Sequence, residues 1–430
     1  MHVKAYRNVG LMLAAMLPLS AAAQSSTEQK IDGLQQEIER LKEETRRLRS
    51  EQAAQKSSQE AAARAAKPAG SSAADQPATS MFGYGEFNYN RNRDPDRTGK
   101  ADLRRLVVGF GHRFNDRLSF SSELEIEHGI VSADDQGEAE VEQAYLNYQL
   151  SDAVNVKGGL FLIPLGILNE THEPPTYYGV ERNDVETRII PTTWRELGVG
   201  VHGLLGTSVK YDVGVTTGFN AAKLDDPAFG VRTGHQEGQL ADAHDLSVYG
   251  ALNYRAPGLL VGGGVFSGNT GQNGQADSLF KGIAARLTLW DVHAKYSVAG
   301  WDLQALYASG TLADADQLTA ANVARAAADP SFSAFAFPKS LKGWYGQAAY
   351  HIYRRGEVDI APFARIERYE IRQAEDPGNG LLQDPKNIER VQTIGVDFKI
   401  HPQVVIKTDF QHYRVDGDKS RFNVGLGYMF

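Results

Sequence analysis

The chain has 430 residues, 42% of them hydrophobic, a formal charge of -8 and no cysteine. The lack of cysteine excludes disulfides and thiolate metal sites, and the acidic balance argues against a general nucleic-acid binder. Beyond the N-terminus no run of roughly 18 apolar residues occurs, so no transmembrane helix is visible.

His2, Lys4 and Arg7 open the chain, Val9 to Leu19 is apolar, and Ser20 and "AAAQ" follow. This order forms a secretory signal peptide over residues 1–23, with cleavage expected after Ala23. The mature protein is then expected outside a bacterial inner membrane. In residues 24–56, Ile31, Ile38, Thr45 and Gln52 fall on one heptad position, and Leu34, Leu41, Leu48 and Gln55 on another. That spacing predicts a short coiled-coil helix. Its narrow apolar stripe needs partner chains to be buried. Residues 57–80 are rich in Ala, Ser, Gly and Pro and read as a flexible linker.

From Met81 the period falls to two. In "RLSFSSELEIEH", Leu118, Phe120, Leu124 and Ile126 alternate with polar residues, and "RFNVGLGYMF" closes the chain on the same rhythm. Tight turns are read at "FNDRL", "QLSDAV", "LLGTS", "RAPGL", "SVAGW", "YRRGE" and "KIHPQ". Between them lie longer connections at 91–102, 128–138, 164–195, 220–243, 268–281, 311–341, 371–388 and 415–419. Short and long connections in alternation are how an outer-membrane barrel is built. In hydrocarbon every backbone amide must be paired, so strands survive only in a closed cylinder. The predicted fold is therefore all-β, a transmembrane antiparallel barrel of about 16 strands over residues 81–430. Phe422, Val424, Leu426, Tyr428 and Phe430 are expected to face lipid.

The alternation also selects inward side chains. The basic candidates for the pore lining are Arg105, Lys210, Lys295, Arg365, Lys399 and Lys407. The acidic ones are Glu123, Glu125, Glu127, Asp212, Asp291, Glu367, Asp397 and Asp409. The long connection 164–195 carries Glu170, Glu173, Glu181, Asp184 and Glu186 against Arg182, Arg188 and Arg195. No metal-ligand spacing or nucleotide loop occurs, and no cofactor is expected.

"GLFLIPLGILNETHEPPTYYGVERN" resembles the phosphate-selective porin O/P family of Gram-negative outer membranes. The shared pattern is Gly159, Phe161, Pro164, Gly166 and Glu170, with Glu181 and Arg182 further on. Leu162 stands where members of the family often carry lysine. The resemblance implies a 16-stranded homotrimeric channel, an assembly signal at Phe430, and a third loop folded into the lumen. It also adds weak anion preference, centred on Arg182, Arg188 and Arg195. The function expected is passive diffusion of small anionic solutes, such as phosphate or dicarboxylates, across the outer membrane, without catalysis. Two other readings stay open. One is a structural barrel whose coiled coil tethers the membrane to the cell wall. The other is a barrel hydrolase, for which His112 or His128 near Ser119 and Ser121 are the candidates.

Overall fold

The computed structural model describes residues 78–94, 98–151 and 153–430. The signal peptide, the coiled coil and all but the last three residues of the expected linker lie outside the described residues. The first half of the wall runs β1 (Ala78–Asn92), β2 (Lys100–Arg113), β3 (Leu118–Glu127), β4 (Glu138–Ser151), β5 (Val154–Leu162), β6 (Arg195–Leu205), β7 (Val209–Thr216) and β8 (Ser247–Ala256). The second half runs β9 (Leu259–Asn269), β10 (Arg286–Val298), β11 (Trp301–Leu312), β12 (Pro338–Tyr350), β13 (Tyr353–Arg355), β14 (Val358–Gln373), β15 (Ile388–His401), β16 (Val404–Tyr413) and β17 (Arg421–Met429). The first strand begins three residues before Met81, inside the stretch read as linker.

Setting aside the short β13, each strand pairs antiparallel with the strands before and after it, and β1 pairs with β17, so the sheet closes on itself. The short β13 prolongs β12 past a break at His351 and Ile352, and both pair with β14. The wall therefore has sixteen staves, the number read from the sequence. At the seam the Gly83 amide donates to the Phe430 carbonyl at 3.1 Å, and the Phe430 amide returns a bond to Gly83 at 2.9 Å. The last residue thus locks the cylinder.

Seven connections are tight turns at one end, and eight longer ones stand at the other. Leu124, Ile126, Phe422, Val424 and Leu426 are exposed on the outside, while their neighbours Glu125, Asn423, Gly425 and Gly427 are buried. Aromatic pairs mark both rims. Trp301 lies 4.8 Å from Tyr350 near the short turns, and Trp290 lies 5.5 Å from Tyr307 nearer the long loops. Such side chains favour the membrane–water boundary.

The interior departs from the uniformly polar lumen that alternation predicts. Phe161, Tyr249, Phe266, Leu287, Leu289, Leu341, Tyr369 and Ile371 point inward from the wall and are buried. They pack with Ile163, Ile167, Ile189, Trp194, Phe219, Val231, Phe280 and Phe337 from the long loops. The helix α1 (Val185–Arg188) in the third loop and α2 (Ala315–Ala328) between β11 and β12 join this apolar fill. It stands against β5, β8 to β12 and β14 to β16, touches β4 only through Tyr145, and draws no residue from β1 to β3.

Candidate functional site

The third loop, residues 163–194, leaves β5 and returns to β6. Its neck is closed by the Ile163 amide donating to the Trp194 carbonyl at 3.0 Å. Asn169 clamps the same neck: its amide group donates to the carbonyls of Ile163 (2.7 Å) and Trp194 (2.8 Å), and its oxygen accepts from the Trp194 amide (2.7 Å). With its ends tied together, the rest of the loop is sent into the lumen.

Inside, fully buried Glu186 organises the fold of the loop. It accepts the amides of Ile167 (2.6 Å) and Leu168 (2.7 Å), the Asn183 side chain (3.0 Å) and the Tyr345 hydroxyl (2.7 Å). Pro164 ends the strand, since it has no amide to give to the ladder. Gly166 turns the chain at φ +74°, and a Cβ there would lie 2.6 Å from a Glu186 oxygen. Both motif positions therefore shape the loop entry. Gly166→Ala is expected to cost about 1–3 kcal/mol of backbone strain, with steric conflict in addition. Thermal unfolding of the detergent-solubilised protein checks this; an unchanged midpoint would show that the turn relaxes freely.

The loop is then strapped to the opposite wall. Lys407 donates to the carbonyls of Tyr177 (2.7 Å) and Gly179 (2.9 Å), and Arg365 to that of Tyr178 (3.1 Å). Asp409 accepts the Val180 amide (2.6 Å) and Glu367 the Asp184 amide (2.6 Å). Tyr178 donates to Asp302 at 2.7 Å, and Asn90 to Glu181 at 2.8 Å. Gly427 on β17 makes room for this crossing, for a Cβ there would fall 2.2 Å from Pro174. Charge-assisted hydrogen bonds of this kind are the stronger class, so the constriction is a braced bar.

On the long-loop side of this bar lies a vestibule of about 590 Å³. Arg104, Arg105, Arg182, Arg188, Arg195, Arg232, Lys419 and Arg421 line it, as do Glu86, Glu125, Glu127, Glu138, Glu140, Glu181, Asp184 and Glu237. The formal count balances, but the pairing does not. Arg105 meets Glu86 (2.8 Å), Glu125 (2.9 Å) and Glu127 (3.2 Å). Arg195 meets Glu140 (2.5 Å) and Glu237 (3.4 Å), and Arg188 meets Asp184 (2.7 Å). Among the described residues, Arg104, Arg182 and Arg232 have no carboxylate within 4.0 Å. Arg182 donates to the Thr193 hydroxyl (2.8 Å), while its Nε and second terminal nitrogen are buried without a protein acceptor. Arg232 donates to the Thr192 carbonyl.

All the candidate wall charges project into the barrel, but they do different things. Arg105, the loop residues Glu181, Arg182 and Arg188, and Arg195 at the start of β6 meet in the vestibule. Arg365 and Lys407 are struts of the bar. Lys210 pairs with Glu170 at 3.0 Å. Lys295 and Lys399 line a separate chamber of about 140 Å³, beyond Tyr177 and Tyr178, with Asp302 and Asp397. His112 bonds Thr79 at 2.8 Å and His128 bonds Asp102 at 2.8 Å, so the serines proposed beside them are not their partners.

Sequence reasoning did not select Arg104, Arg232, Lys419 or Arg421. Arg421 had a signal: it alternates with outward Phe422 and so faces inward. Arg104 had none, because a bulge opposite Glu86 and Phe87 lets both Arg104 and Arg105 reach the vestibule. A bulge adds a residue and breaks the strict two-residue period. Arg232 lies in the irregular fourth loop, residues 217–246, where no periodicity constrains direction.

The fourth loop reaches the vestibule through His235 and Glu237, 3.2 Å apart. Burial pushes the His235 imidazole down to about 4. Burial alone would raise Glu237, but the bond from His235 and the Arg195 charge bring it down to about 2. Both values lie below those of the unfolded chain, about 6.5 and 4.3. The His235 contribution to loop stability is complete above about 6.5 and is lost as pH falls towards 4. That of Glu237 is complete above about 4.3 and is lost towards 2. Acid therefore loosens this loop through both groups. Single-channel recordings from pH 7 to 4 should show growing current noise, reduced in His235→Asn; noise independent of pH would contradict this.

The description of the family of phosphate-selective porin O and P matches residues 81–357. The chain belongs to this porin family. A curated protein of Aquifex aeolicus (strain VF5), described only as uncharacterized, is 34% identical over 359 residues, which is 82% of this chain and 80% of that one. Among solved structures, OmpF of Salmonella typhi in complex with daunomycin is similar with a TM-score of 0.55 and 13% identity, over 82% of this chain and 97% of that one. An anion-selective porin from Comamonas acidovorans gives 0.50 and 11%, over 83% and 100%. These likenesses are of fold. Family and fold together make this porin an outer-membrane channel.

Proposed function

We propose that this outer-membrane porin is a homotrimer that passes small anionic solutes, such as phosphate or dicarboxylates, by passive diffusion. The observation that carries the reading is the unequal pairing in the vestibule: Arg104, Arg182 and Arg232 lack carboxylate partners, while most of the acids there are bound to arginine. Unneutralised guanidinium groups ahead of a narrow passage raise the local concentration of anions and repel cations. The arginine fork suits phosphate and carboxylate alike. The Arg182 charge, with no carboxylate within 4.0 Å among the described residues, adds to this attraction from within the wall of the vestibule.

The test is the reversal potential of the purified porin in a planar bilayer under a salt gradient, with phosphate and succinate added as competitors for chloride. Anion preference and block by either competitor are the expected results. A clear cation preference would remove the proposal. Trimerisation is read separately, from the mass of the detergent-solubilised assembly.

A further inference from the structure

The outside of the barrel is apolar around much of its circumference. Towards the long-loop end, Ile126, Val141, Val199, Val215, Val248 and Val265 are exposed there. One sector differs. Arg368 on β14 stands between the buried residues Glu367 and Tyr369, Arg390 on β15 between Glu389 and Val391, and Arg414 just after buried Tyr413. All three point outward at the long-loop end. Arg368 and Arg390 are direct partners across the ladder, and the Arg414 amide donates to the Arg390 carbonyl at 3.2 Å. Strands are about 4.8 Å apart, so the three stems form a row about 10 Å long. Like charges placed opposite one another on adjacent strands repel.

The protein compensates this row only in part. Arg368 bonds Glu370, and Arg372 shares the same carboxylate at 3.2 Å. Exposed Lys342 lies across the ladder from Glu370. Among the described residues, the side chains of Arg390 and Arg414 have no carboxylate within 4.0 Å and make no side-chain hydrogen bond. Below the row, towards mid-wall, lie exposed Trp344 and Ile366. Together with Gln392 and His412 these residues enclose an outward-facing groove of about 610 Å³.

The geometry points to this groove as a binding site for a phosphorylated glycolipid of the outer leaflet. An acyl chain lies on Trp344 and Ile366, and headgroup phosphate accepts from Arg390 and Arg414. Three facts favour this occupant. The row sits where a lipid-facing wall meets headgroups. A groove that is apolar below and cationic above matches an amphiphile with an anionic head. Guanidinium binds phosphate with two parallel hydrogen bonds. A second copy of the chain would bring mainly apolar side chains at this height, which cannot neutralise the row.

Native mass spectrometry of the full chain in detergent tests the site, with bis-phosphorylated lipid A and zwitterionic phosphatidylethanolamine as probes. The porin should retain lipid A at least about tenfold better than phosphatidylethanolamine. The double variant Arg390→Gln/Arg414→Gln should lose at least about tenfold of that retention while its conductance stays unchanged. Arg117→Gln, at the short-turn rim, should retain lipid A normally. Equal retention by the double variant overturns the proposal, as does no preference by the unaltered porin. So does a change in oligomer mass without a change in lipid retention, which would assign the groove to a second copy. If the double variant does not fold, Arg414→Gln alone, at a residue outside the strands, carries the same comparison.

Discussion

Glu186→Leu should release the third loop from its fold inside the lumen, at a cost of about 4 kcal/mol or more for the four buried donors it leaves unmet. Leucine fills similar space but leaves the amides of Ile167 and Leu168, the Asn183 side chain and the Tyr345 hydroxyl without their acceptor. Each unmet buried donor costs about 1–3 kcal/mol, and the loop can avoid that cost only by leaving the site. The expected readout is a larger and noisier single-channel current together with a lower unfolding temperature. Glu170→Gln is the matched control. Its partner Lys210 is about a third exposed, and such pairs contribute about 0–1 kcal/mol. If both variants conduct like the unaltered porin, Glu186 does not hold the constriction.

Removing the three unpaired charges should act on selectivity instead. The triple variant Arg104→Gln/Arg182→Gln/Arg232→Gln takes three positive charges from the vestibule and strands no carboxylate. A unit charge about 6 Å from a passing ion is worth about 1–3 kcal/mol at effective dielectric constants between 80 and 20. The anion-to-cation permeability ratio should therefore fall at least about tenfold and move towards cation preference. The change should be clear at 0.1 M salt and shrink at 1 M, where the screening length drops from about 10 to about 3 Å. Arg105→Gln makes a useful contrast, because it leaves Glu86, Glu125 and Glu127 facing one another without their shared cation. It should shift selectivity the same way but also destabilise the wall. A triple variant with unchanged reversal potential would place the filter elsewhere.

The barrel was legible in the sequence because two physical constraints write themselves into the chain. The two-residue side-chain period separates outward Phe422, Val424 and Leu426 from inward Asn423 and Gly425. The hairpin topology forces short and long connections to alternate, and all seven tight turns lie where the turn residues placed them. The same period sent Arg105, Arg365 and Lys407 inward. What it could not tell is what those side chains meet. Lys407 reads as a pore charge, yet it is spent on the carbonyls of Tyr177 and Gly179, a loop more than two hundred residues away. The apolar fill was illegible for a related reason. In "GLFLIP" the alternation lapses, because Phe161 looks inward onto packed loops rather than water. Alternation reports which way a residue points, and only tertiary contact decides whether that direction is wet.

The one-sided apolar fill also has an electrical consequence. Hydrocarbon side chains polarise poorly, so field lines leaving Arg182 and Arg232 are crowded out of that half and into the remaining water. A permeating solute would cross a sideways potential gradient as well as the axial one. An elongated dianion such as succinate should be drawn with both carboxylates to the arginine side as it passes, so the porin should tell solutes apart by how their charge is spaced as well as by how much they carry.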